Sequence, residues 1–167
     1  MAKDKQASNE ATQASQANQE NQPGFGIEKL YVKDASIEVP GAPQIFTERS
    51  APQINIELGN AAQKLDEGVF EAAIKVTVTA KIGDKTAFLV EVTQAGVFAI
   101  RNVPDENLEI ILGITCPNIL FPYAREAVSD MVTRAGFAPV LLNPINFEAL
   151  FAQQKMQQTE NAGAKPN

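Results

Sequence analysis

The chain has 167 residues and a formal charge of −6, with 14 basic against 20 acidic side chains and a hydrophobic share of 44%. That is room for one domain with a core of its own, and an acidic balance that nucleic-acid phosphates and anionic lipid would both repel. There is no histidine and one cysteine, Cys116, which excludes Ser-His-Asp and Cys-His nucleophilic sites, histidine-containing zinc sites, an internal disulfide and a CxxC pair.

Residues 1–24 are rich in Gln, Asn, Ala and Ser, and Met1 is their only large apolar residue. Such a segment cannot bury enough surface to offset the entropy of ordering, so it is expected to be a disordered leader. It carries no apolar run of the signal-peptide kind, and nothing further along reaches membrane-spanning length. The expected organisation is a leader at 1–24, a folded domain at 25–156 and a flexible polar tail at 157–167, in a cytoplasmic protein with no direct membrane insertion.

In the first strand, Phe25, Ile27, Tyr31, Ala35, Ile37 and Val39 read as one side, although Lys29 and Lys33 fall on it too. Pro40, Pro43 and Pro52 then mark a crossing loop that carries Ile45 and Phe46. A short strand follows, in which Ile54, Ile56 and Leu58 alternate with Gln53, Asn55 and Glu57. Residues 69–81 alternate almost without error, Phe70, Ala72, Ile74, Val76, Val78 and Ala80 against Glu71, Lys75, Thr77, Thr79 and Lys81, which predicts a half-buried strand. Ile82-Gly83-Asp84-Lys85 reads as a tight hairpin turn. The next strand, 86–100, puts Phe88, Val90, Val92, Phe98 and Ile100 on its core face, with a bulge expected at Gln94 and Gly96.

After Pro104 the period becomes helical. A short helix is expected over 105–114, with Asp105 and Glu106 at the positive end of its dipole and Pro117 ending it. A second helix carries the stripe Leu120, Phe121, Ala124, Ala127, Val128, Met131, Val132 and Ala135, with Pro122 in its first turn and Gly136 at its end. A last short helix follows Asn146, with Phe147, Leu150 and Phe151 on its apolar side. The predicted fold is α+β, a four-stranded antiparallel sheet with helices packed on one face, which leaves the other face broad and polar.

Enzyme chemistry finds little support. The pairs Asp66-Glu67 and Asp105-Glu106 read as solvated turn charge and a helix start, and Gly24-Phe25-Gly26 lacks the third glycine of a dinucleotide loop. Cys116, beside Pro117 among apolar residues, reads as buried and inert. The polar face of the sheet offers more. Leu89 and Glu91 point away from the core, as do Asp34 and Glu38, so in one sheet they would form a flat acidic surface with an apolar anchor, suited to a basic peptide. A second, apolar set comprises Phe46, Ile54, Ile56, Leu58, Phe121, Phe137 and Leu142. These residues read as part core and part the lining of a groove.

The run Cys116-Pro117-Asn118-Ile119-Leu120-Phe121-Pro122-Tyr123-Ala124-Arg125-Glu126 resembles the signature segment of the SecB family of bacterial protein-export chaperones. Asp34-Ala35-Ser36-Ile37-Glu38-Val39-Pro40, the hairpin from Val76 to Leu89, Glu91-Val92 and Pro144-Ile145-Asn146-Phe147 resemble that family in the same order, over about 25–151. The resemblance implies an ATP-independent chaperone, not an enzyme, that keeps unfolded precursor proteins competent for export and passes them to the motor SecA. It also implies a homotetramer, a dimer of dimers, with no cofactor of its own. Asp34, Glu38, Leu89 and Glu91 match the family's SecA-binding positions, and the zinc of that contact would belong to SecA. The alternative is a SecB-like chaperone serving a toxin–antitoxin pair or a general holdase. The chain departs from the family in its last residues, 162–167, which hold Lys165 and no acid, and in having no tryptophan.

Overall fold

The computed structural model describes residues 22–163, so most of the expected leader and the last four residues lie outside the described part. Four strands, β1 (Gly24–Glu38), β2 (Gln53–Asp66), β3 (Val69–Ile82) and β4 (Lys85–Arg101), form one sheet in the order β1-β4-β3-β2. Every neighbouring pair is antiparallel. A helical segment then runs as α1 (Asp105–Ile110), a π turn (Ile111–Thr115) and α2 (Cys116–Arg134), and α3 (Phe147–Gly163) follows after a loop.

The centre of the sheet is what alternation dictates. On β3, Phe70, Ala72, Ile74, Val76, Val78 and Ala80 are buried, and on β4 so are Phe88, Val90, Val92, Phe98 and Ile100. Across from them α2 buries Cys116, Leu120, Phe121, Ala124, Val128 and Val132. Each large aliphatic side chain in this layer contributes on the order of 1.5–3 kcal/mol. Gly83 turns the β3–β4 hairpin at φ +58, a backbone region open to glycine at little cost.

Pro117 does not end the first helix, and Pro122 lies inside the second rather than in its first turn. The backbone stays right-handed through Ile110, Ile111, Thr115 and Cys116, so α1 and α2 are continuous through the π turn. The Cys116 N–H donates to Ile111 O, one residue further back than in an α-helix. That wider turn accommodates Pro117, whose ring would otherwise press on the preceding turn. The end of α2 agrees with expectation. Gly136 takes φ +91, its N–H donates to Thr133 O, and the Phe137 N–H donates to Val132 O, which is the Schellman pattern.

Three more elements differ from the sequence reading. β2 continues to Asp66, because its second half pairs with β3 although Asn60, Ala61, Ala62 and Gln63 carry little apolar signal. The last helix is long rather than short; the Asn146 side chain caps it by accepting from the Ala149 N–H at 2.9 Å. No bulge occurs at Gln94 and Gly96, where β3 and β4 pair without a break. Gly96 instead leaves room for a ring: a β-carbon there would stand 2.8 Å from Phe98 and 3.0 Å from Leu30.

The irregularities lie in β1, between Ile27 and Lys29 and between Val32 and Asp34. Each inserts one residue and reverses the faces. Tyr31, Lys29 and Lys33 therefore belong to the face away from the helices, and Leu30 and Val32 take the core side, pairing with Gly96 and Gln94. That removes the anomaly of two lysines on an apolar stripe and places Tyr31 opposite to its expected side.

Candidate functional site

The face away from the helices is read row by row from the register. Glu38 pairs with Leu89, which pairs with Thr79. In the next row Ser36 pairs with Glu91, Glu91 with Thr77 and Thr77 with Glu57. In the row after that, Asp34 pairs with Thr93 and Thr93 with Lys75. Asp34, Glu38, Leu89 and Glu91 thus fall in three consecutive rows of two adjacent strands on one face. Asp34 and Glu38 are exposed, and Leu89 and Glu91 are half-buried. Leu89 stands between Glu38 and Thr79, an apolar group in a polar lattice.

Glu91 is held rather than loose. Lys75 Nζ lies 2.9 Å from Glu91 Oε2, and Thr77 Oγ1 donates to the same oxygen at 3.0 Å. Lys75 first, and then Thr77, keep the Glu91 carboxyl below its ordinary range. Glu91 in turn raises the Lys75 ammonium, with a smaller contribution from Asp34. Sequence reasoning did not include Glu57 in this surface. Its alternation with Ile56 and Leu58 was visible, but only the register shows that it shares a row with Glu91.

Further along the same face a tight polar cluster crosses the sheet. The Tyr31 hydroxyl and Gln63 Nε2 both donate to the Glu71 carboxylate, and Lys33 Nζ approaches its two oxygens at 2.9 Å. Tyr31 is on β1 and Glu71 on β3, so the tyrosine reaches across β4, where Ala95 is fully covered. Glu71 is only 6% exposed, and Tyr31 and Lys33 hold its carboxyl below the ordinary range against the opposing effect of burial. The cluster clamps three strands together beside the acidic rows.

The apolar set divides in two. Phe121 and Leu142 are buried in the core, with Phe121 packed edge-to-face on Phe147 at 5.9 Å. They do not line an open groove in the single chain, because the helix begins at Asp105 and Phe121 sits well inside it instead of near an end. Ile54, Ile56 and Leu58 pair with Ala80, Val78 and Val76 and so share the helix-side face. They lie on an edge strand, however, and Ile54 and Ile56 remain 41% and 47% exposed. Phe46 is half exposed and stacks at 5.2 Å on Phe137, which in turn meets Phe88 at 4.9 Å. A cavity of about 220 Å³ opens between Leu58, Gly113, Leu150 and Phe151. Phe46 and Phe137, packed on Phe88, and Ile54, Ile56 and Leu58 on β2 therefore all lie on the opposite side of the sheet from the acidic rows. Cys116 is buried, and burial pushes its thiol up to about 12. Among the described residues no helix is long and apolar enough to cross a membrane.

Comparison with known proteins gives the family. The model of the family described as preprotein translocase subunit SecB matches residues 18–158. The protein-export protein SecB of Methylobacillus flagellatus is 68% identical over 145 residues, covering 87% of this chain and 92% of that protein. Its namesake in Chromobacterium violaceum is 62% identical, covering 87% and 97%, and that of Neisseria gonorrhoeae 57%, covering 87% and 98%. Among solved structures, a Mycobacterium tuberculosis SecB-like chaperone in complex with a ChAD peptide from the HigA1 antitoxin superposes with a TM-score of 0.61 at 18% identity, over 73% of this chain and 91% of that one. At that identity the likeness concerns the fold.

Proposed function

The chain belongs to the SecB family of protein-export chaperones, and we propose that it holds unfolded precursor proteins in the cytoplasm, without catalysis or ATP, and delivers them to SecA. The observation that carries this reading is the separation of two surfaces by one sheet. Asp34, Glu38, Leu89 and Glu91 are gathered on the outer face, while Phe46, Ile54, Ile56, Leu58 and Phe137 border the helix side. A precursor and the motor can then be engaged at once. The outer face takes a basic segment of SecA through its carboxylates, with Leu89 as the apolar contact between them. The margin takes extended apolar segments, since a binder of many chains must recognise apolar area and backbone rather than sequence. The high identity to protein-export proteins, against 18% to the antitoxin-binding chaperone, favours SecA over a toxin–antitoxin client.

The assembly belongs to the same proposal. Phe25, Ile27 and Val32 on β1 are 44%, 48% and 51% exposed in the single chain, and Ile110 and Tyr123 are bare on the helix. Apolar surface of that kind favours closed self-association, here a dimer of dimers, and light scattering would give about four times 18.0 kDa. The functional test is titration calorimetry of SecA against the wild type, Glu91→Lys and Asp34→Lys. Each reversal is expected to weaken SecA at least tenfold and to leave capture of an unfolded precursor intact. Unchanged SecA affinity in both variants would overturn the docking assignment.

A further inference from the structure

The reading of the outer face as the dock for a basic partner is the premise here. Its central acid already has a cation. Lys75 stands opposite Thr93, one row from Glu91, and Thr93 is paired on its other side with Asp34. A long side chain at that position reaches its diagonal neighbour, and the Lys75 ammonium sits 2.9 Å from Glu91 Oε2. Both partners keep contact with water, Lys75 with 52% of its side chain exposed and Glu91 with 32%. The pair can therefore open without leaving a buried charge behind. Thr77 keeps its own bond to Glu91, so the carboxylate stays in place when the lysine leaves.

We propose that Lys75 is the built-in counter-ion of the docking face, neutralising Glu91 in the free protein so that a cation of the incoming partner must compete with it for that carboxylate. Two consequences follow for affinity and selectivity. Exchange of one cation for another on a single carboxylate gains little, and the displaced ammonium stays close enough to repel the newcomer. A ligand with one positive charge is thus discriminated against. A ligand with several clustered lysines or arginines gains on Asp34, Glu38 and Glu57, which lie in the same three rows. The lysine raises the number of charges a partner must carry.

The test is titration calorimetry of purified full-length SecA against four variants of the intact chain. Lys75→Gln is expected to bind about two- to fivefold tighter, the range for release of one exposed ion pair. Lys75→Arg keeps a cation on Glu91 and is expected to bind like the wild type. Lys81→Gln removes the same charge from the same face of β3, four residues past Thr77 and so about 13 Å from Glu91, beyond one Debye length at ~0.1 M salt, and is expected to change affinity less than 1.5-fold. Glu91→Gln is expected to weaken binding. Unchanged or weaker binding by Lys75→Gln, or equal tightening by Lys81→Gln, would overturn the role of Lys75 while a weakened Glu91→Gln keeps the docking face itself. Wild-type affinity in Glu91→Gln would sink the docking reading and this proposal together.

Discussion

Substitution of Glu71 by Gln keeps the shape of the side chain and one acceptor oxygen, and replaces the other oxygen and the charge by an amide NH2. The Tyr31 hydroxyl, Lys33 and Gln63 converge on that carboxylate, which is 6% exposed. A hydrogen bond to a charged group contributes about 1.5–3 kcal/mol and a neutral one about 0.5–1.5. The tyrosine bond, made under partial cover, thus loses about 1–1.5 kcal/mol. The Lys33 side chain is 47% exposed and recovers water, so its share is only about 0–1 kcal/mol. The expected destabilisation is about 2 kcal/mol, or ~4–8 °C in melting temperature for a chain of this size. Urea unfolding at fixed protein concentration measures it, since an assembly's stability depends on concentration. The pH dependence is a second readout. The folded carboxyl lies below its ordinary 4.5, so the unfolded state takes up protons first. Its contribution is complete above 4.5 and fades as pH falls through the folded value. The gap between wild type and Glu71→Gln should therefore be full near neutrality and close in acid. A loss under ~0.5 kcal/mol, or a gap that persists in acid, would refute the clamp.

Ile56→Asp and Leu58→Asp place a charge on the apolar margin of β2 and are expected to reduce capture of an unfolded precursor at least fivefold, with SecA binding retained; competition against the folded form of the same precursor checks both. Undiminished capture by variants of normal assembly state would move the margin elsewhere. Gly113→Val puts a β-carbon about where the Phe151 ring lies, 2.5 Å from Cδ2, so α3 should leave the π turn and limited proteolysis should cut sooner after Asn146. The Cys116 thiol, pushed up to about 12 by burial, is expected to stay unreactive to a thiol reagent at pH 8 and to react on unfolding; fast labelling of the folded chain would contradict its burial.

The parts of the fold legible in the sequence are those where one face is core and the other water. β3 and β4 pair and bury their side chains as their alternation requires. Gly136 ends its helix because only the left-handed turn at φ +91 lets both following N–H groups find carbonyls. The misreadings have two causes. Pro117 was expected to break a helix because the rule for proline assumes α-helical spacing, and the π turn relaxes that spacing. That one misplaced boundary also moved Phe121 from mid-helix to a supposed helix end, and so from the core to a groove. The second half of β2 was missed because strand pairing, not composition, specifies it.

The acidic rows survived an error in the strand that carries half of them. Counting alternate residues from Phe25 without interruption puts Tyr31 and Lys33 with the core, which is wrong, yet puts Asp34 and Glu38 outside, which is right. The first bulge in β1 reverses the faces and the second restores them. Residues between the bulges are therefore misassigned by simple alternation, and those beyond the second are not. The misassigned stretch is also the one that supplies Tyr31 and Lys33 to Glu71. The irregularity that hides this clamp from the sequence is what turns its side chains toward β3. Asp34 and Glu38, of the proposed docking face, follow immediately in regular strand on the face that the clamp crosses. Deletion of Lys33 would remove the second bulge and leave Val32 and Asp34 consecutive opposite Gln94 and Thr93, so Asp34 and Glu38 should keep the outer face while Glu71 loses the Lys33 ammonium.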